Sequence, residues 1–127
     1  MNLNKLINIK RILVLVFGLT LCACNKDKEA FITLISPEIN SSFSAGQSIP
    51  IKINLSAKDG LDVFHLKVVN VLTNNAVFDW QHVITGKSFF QIDTVIKIQQ
   101  IATYKTSIEA ISKKPTILKV ETTFSVR

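Results

Sequence analysis

Ser48-Ile49-Pro50-Ile51-Lys52-Ile53-Asn54-Leu55-Ser56-Ala57-Lys58 is the stretch that decides the fold. In an extended chain Ile49, Ile51, Ile53, Leu55 and Ala57 share one face and the intervening residues the other, whereas a helix would scatter them around its circumference. The pattern predicts a strand with one buried and one wet face. Downstream, Asp59-Gly60 predicts a turn. Residues 61–72 then predict a strand in which Phe64, Leu66 and Val68 oppose His65 and Lys67. Asn74-Asn75 turns the chain, and residues 76–83 give a weaker strand around Val77, Phe78 and Trp80. After a second glycine turn at Gly86-Lys87, Phe90, Ile92, Thr94, Ile96 and Ile98 face one way and Gln91, Asp93, Val95 and Lys97 the other. Tyr104, Thr106, Ile108 and Ala110 repeat the pattern until Lys113-Lys114-Pro115 breaks it. Leu118, Val120, Thr122, Phe124 and Val126 carry it to the end. Upstream, the short apolar run 31–35, closed by Ser36-Pro37, predicts an edge strand, and Asn40-Ser41-Ser42 and Ala45-Gly46-Gln47 are turn chemistry.

No segment after Cys24 keeps a helical period with caps. About seven strands with frequent turns is the pattern of an all-β, immunoglobulin-like sandwich of about seven antiparallel strands. Tyr104, early in the penultimate strand, is placed to make a tyrosine-corner bond to backbone.

The amino-terminal end reads differently. Lys5, Lys10 and Arg11 precede a nearly unbroken apolar run over residues 12–21. That order is a secretory signal peptide, and a run of about ten residues is far shorter than the roughly twenty a spanning helix needs. Leu21-Cys22-Ala23-Cys24 resembles the lipobox of bacterial lipoproteins, with Cys22 an unusual occupant of its second position. The resemblance implies cleavage between Ala23 and Cys24 and acylation of Cys24. The alternative is an ordinary secretory signal cut near Ala23. The expected organisation is a signal peptide over 1–23, a lipidated tether over 24–30 and the sandwich over 31–127. Lys26-Asp27-Lys28-Glu29 resembles the surface-export signal of Bacteroidetes lipoproteins, so display outside the cell and retention on the periplasmic side both stand open, as does a plain solvated spacer.

The chain's formal charge of +6 overstates its basicity. Three of its fifteen Lys and Arg lie in the leader and all nine acids lie after it, so the sandwich is only mildly basic and a nucleic-acid partner is not expected. Both cysteines sit at the leader boundary, which leaves the sandwich no disulfide and no cysteine-based zinc site.

The stretch Ser36-Pro37-Glu38-Ile39-Asn40-Ser41-Ser42-Phe43-Ser44-Ala45-Gly46-Gln47-Ser48-Ile49 resembles the opening of Bacteroidetes cell-surface immunoglobulin-like modules. In that family an Asp-Gly-Leu stretch, here Asp59-Gly60-Leu61, starts the third strand. The similarity to small lipoproteins of unknown function with such a domain (DUF4625-like) covers residues 33–126. It implies the fold and says little about activity.

Groups that could carry chemistry are few: His65, His82, Asp59, Asp62, Asp79, Asp93, Glu109 and Glu121. No HExxH, GxSxG or phosphate-binding glycine loop is present, so a non-enzymatic protein without cofactor is expected. His65 and His82 fall on neighbouring predicted strands and could approach each other. Two solvated surface histidines are the plainer reading and no metal site is expected. Asp59 and Asp62 flank Gly60, but calcium needs more oxygen ligands than these supply. Among the aromatics Phe78, Trp80, Phe89 and Phe90, Phe90 is expected in the core, while Trp80 is open between core and a stacking surface. The leading expectation is a monomeric, lipid-anchored binding or structural module of the outer membrane and cell envelope, meeting an envelope protein or glycan. The alternative is a ligand-capture lipoprotein serving an outer-membrane transporter, with Trp80, His65 and His82 binding a glycan, small molecule or metal.

Overall fold

A computed structural model describes residues 29–114 and 116–127. Six strands follow in order, β1 (Ala30–Ser36), β2 (Ser41–Phe43), β3 (Ser48–Asn70), β4 (Ala76–Lys97), β5 (Ala102–Ser112) and β6 (Ile117–Val126). Among the described residues there is no helix long and apolar enough to cross a membrane.

β3 and β4 are each long enough to serve both layers of a sandwich. The first half of β3 pairs with β1 and with the second half of β4, in register at Leu34, Ile53 and Ile92. Its second half pairs with the first half of β4 and with β5, and β6 extends that layer. With β3 and β4 each counted twice and the short β2 left aside, the expected seven antiparallel strands are all present. The fold is the immunoglobulin-like sandwich.

Two expected turns are corrected. At Asp59-Gly60 and at Gly86-Lys87 the chain bends without leaving the ladder, and Leu61 pairs with Lys87 between the two halves. Gly60 and Gly86 have φ of 93° and 90°, a conformation that costs a residue with Cβ. A left-handed glycine in a bulge deflects a strand and shifts its register, here between Ser56 and Leu61, without ending it. The short β2 also departs from expectation. Ser41 and Ser42, read as turn chemistry, pair in parallel with β6 together with Phe43, Ser41 opposite Phe124 and Phe43 opposite Val126.

The core is the apolar stripe predicted from sequence. Ile49, Ile51, Ile53 and Leu55 are fully buried and meet Phe64, Leu66, Val68, Ile92, Ile108 and Phe124. The tyrosine corner is present, with the Tyr104 hydroxyl donating to the Gln100 carbonyl at 2.9 Å and the ring stacked on Phe124. One end of the sandwich gathers the start of β1, both bends and the β5–β6 hairpin. There Lys58 N donates to Glu29 O at 2.7 Å and Lys113 N to Gly60 O at 3.0 Å. The opposite end carries the turn after Asn70, whose side-chain oxygen accepts from Leu72 N and Thr73 N.

Candidate functional site

Alternation along β3 and β4 decides where each candidate group points. His65 pairs with Gln81 and Phe64 with His82, so the two histidines lie on opposite faces of the same layer. The expected approach of His65 to His82 is thus corrected: neighbouring strands put residues side by side only when their register parity matches, and here it does not.

On the inner face, Phe64 is the centre of an aromatic group. The Trp80 ring meets it edge-on at 5.0 Å between centroids, Phe90 lies at 5.6 Å and His82 at 6.0 Å. Trp80 and Phe90 are half-buried against the core, while His82 is exposed, and the Lys87 ammonium stands 5.2 Å from the Phe90 ring centre. Trp80 therefore serves the lateral closure of the sandwich and keeps one edge outside.

The outer face carries charge in register. One row across four strands is Asp79, Lys67, Ser107 and Glu121, and the next is Gln81, His65, Glu109 and Lys119. His65 Nε2 lies 2.6 Å from Asp79 Oδ1, and Lys67 Nζ 3.4 Å from Asp79 Oδ2. The hydrogen bond with His65, seconded by Lys67, holds the Asp79 carboxyl below its ordinary range. Lys119 reaches Glu121 at 3.1 Å and Glu109 at 3.3 Å, and Lys105 reaches Glu121 at 3.7 Å. The hydrogen bonds that Lys119 donates to Glu121 and Glu109 raise Lys119, and the one that Glu121 accepts from it lowers Glu121. A shallow cavity of about 240 Å³ lies over these rows. Beside it runs an apolar row, Val83, Val63, Ile111 and Ile117, with a cavity of about 170 Å³ along it.

The other acids are engaged one by one. Asp59 meets Lys114 at 3.5 Å, Asp62 accepts from the Thr85 hydroxyl at 2.8 Å, and Asp93 stands 3.9 Å from Lys52. Asp59 and Asp62 share no ligand geometry, and among the described residues no three His, Cys, Asp or Glu side chains gather in a way that could hold a metal ion. A cavity of about 260 Å³ at the bend end is lined by Glu29, Asp59, Lys114 and Thr116 among others. Ala23 and Cys24 lie outside the described residues.

Sequence reasoning named Asp79, Glu109, Glu121 and His65 singly but missed the array they form with Lys67, Lys105 and Lys119. The signal was available in part: polar residues two apart on three strands must share a face, but cross-strand register, which makes rows of them, is not written in any one strand.

No protein-family model matches the chain, and no curated protein does. Solved structures share its fold at low identity. A fibronectin(III)-like module of CbhA from Clostridium thermocellum is 16% identical with a TM-score of 0.51, the match covering 76% of this chain and 94% of that one. A variant of superoxide reductase (neelaredoxin) from Ignicoccus hospitalis is 10% identical with a TM-score of 0.62, covering 79% and 83%. A chain of the complex of zinc 2-glycoprotein with prolactin-inducible protein from human seminal plasma is 7% identical with a TM-score of 0.50, covering 80% and 99%. One neighbour is a reductase by name and another a fibronectin-like module, so the likeness speaks for the sandwich and not for an activity. These neighbours establish an all-β, immunoglobulin- or fibronectin-like sandwich as the fold of this chain.

Proposed function

We propose that the chain is a non-enzymatic, lipid-anchored module of the cell envelope that binds an envelope protein or glycan through the outer face of its four-stranded layer. One observation carries the reading: Asp79, His65, Lys67, Glu109, Lys119 and Glu121 stand in register on that exposed face, joined by ion pairs. Alternating charges set in rows on an exposed face offer a partner a pattern of donors and acceptors, which supports recognition. The anchor half rests on Leu21-Cys22-Ala23-Cys24 and its resemblance to a lipobox, and the outer membrane of a Bacteroidetes-type cell is the location that goes with it.

The deciding experiment is the intact mass of membrane-extracted protein beside its Cys24→Ala variant, with protease shaving of whole cells. A chain that begins at Cys24 with added acyl mass, and is digested on intact cells, supports a surface lipoprotein. An unmodified chain overturns the anchor.

A second reading, capture of a glycan or small molecule, keeps one observation in its favour. Exposed His82 stands at the edge of the Trp80, Phe90 and Phe64 group, where a sugar face could stack. His65 has no part in it. A glycan-array signal lost in His82→Ala and kept in His65→Ala would support this reading, and the same signal surviving both would refute it.

A further inference from the structure

We infer that the end of the sandwich from which β1 starts lies against the lipid surface, with Val83, Ile111 and Ile117 at the bilayer interface and Lys58 and Lys113 among the headgroup phosphates. The inference rests on acylation at Cys24. From Cys24 to the first residue of β1, Ala30, there are six residue steps, which reach about 20 Å even when fully extended. Ala30 sits at the end that gathers both bends and the β5–β6 hairpin, so the tether holds this end near the membrane.

What that end presents suits the interface. Ile117 and Val83 are 69% and 67% exposed on the outer face, and Ile111 lies between them in the same row. Alone in water such a row has no partner, whereas at a headgroup boundary its burial is favourable. Exposed Lys58 and Lys113 flank it from the first bend and the hairpin, where they meet anionic lipid. Of the acids at this end, Asp59 is paired with Lys114 at 3.5 Å, while Asp62, which accepts from the Thr85 hydroxyl, and exposed Glu29 keep their charge. The opposite end exposes apolar side chains as well, Leu72 at 92%, Ile39 at 73% and Ile101 at 70% among them, so it is the tether that selects the end, and Leu72 is the natural comparison.

The test uses the full-length acylated protein in phosphatidylethanolamine–phosphatidylglycerol vesicles containing a brominated lipid. A fluorophore is placed on Thr116→Cys or on Leu72→Cys. Both native cysteines lie at the leader boundary, and in the acylated chain the Cys24 thiol is blocked, so labelling is specific. Bromine should quench the label at position 116 several-fold more than the label at position 72, and Ile117→Glu with Val83→Glu should abolish the excess while acyl mass and thermal melt persist. Equal quenching at both positions, stronger quenching at 72, or an excess at 116 that survives the two glutamates would each overturn the docking. A mass without acyl groups would instead overturn the anchoring reading, and the docking with it, before any vesicle is made.

Discussion

The Tyr104 hydroxyl donates across 2.9 Å to the carbonyl of Gln100, four residues upstream, while its ring, fully buried, stacks on Phe124 at 5.7 Å. The residue thus holds the entry of β5 from two sides. Tyr104→Phe keeps the ring and removes the bond, and it should lower unfolding free energy by about 1 kcal/mol in a denaturant titration. An unchanged midpoint would mean that the bond contributes nothing to holding β5.

Ile53 is fully buried between Leu34 and Ile92. Ile53→Val should cost about 1 kcal/mol, and Ile53→Asp should leave no cooperative melt, because an unpaired charge would lie among the Ile and Leu side chains of the core. Soluble Ile53→Asp protein with a sharp transition by circular dichroism would contradict this register.

Thr106 and Thr122 face each other across β5 and β6, both buried, and neither hydroxyl has a hydrogen-bond partner among the described residues. Thr106→Val keeps the branched shape and removes an unsatisfied oxygen, so it should leave stability unchanged or raise it by about 1 kcal/mol. A clear drop in Tm would reveal a partner such as a bound water.

Asp79 is held below its ordinary value of 3.8 by His65 and then Lys67. A carboxyl with a depressed folded value adds stability that is fully present above about 3.8 and fades as pH falls through the lower folded value. Asp79→Asn should therefore be less stable than the parent at neutral pH, with the gap closing in the acid range below 3.8. Because the site is exposed, added salt should narrow the neutral-pH gap as well. A gap that stays constant from pH 6 to pH 2 would remove the ionic account.

Where one strand face is buried, the sequence was explicit. Ile49 to Ala57, Phe90 to Ile98 and Tyr104 to Ala110 alternate because each layer has a dry and a wet side; all three fall into strands, save Ile98 just past the end of β4, and the expected residues are buried except Phe90 and Thr94, which are half-buried. Less legible were the bends. A glycine at φ near 90° serves a hairpin and a bulge alike, so Gly60 and Gly86 announced a change of direction without saying that pairing continues through it. The pairing of β2 with β6 escaped because three residues are too few to show a period. His65 and His82 illustrate the same limit at the candidate site: adjacency of strands was readable, but parity across them was decided by the register of Phe64 with His82.

β1 runs away from the end that carries both bends along the first half of β3, joined to it from Ala30 opposite Ala57 to Ser36 opposite Lys52. In the anchored form proposed above, a force transmitted through the tether acts along the strand axis and loads this whole ladder in shear. The rungs must yield together, whereas a strand gripped from its side would unzip one rung at a time. Fluid drag or a tugging partner would meet a fastening whose strength grows with the number of rungs, which gives the edge strand a mechanical role.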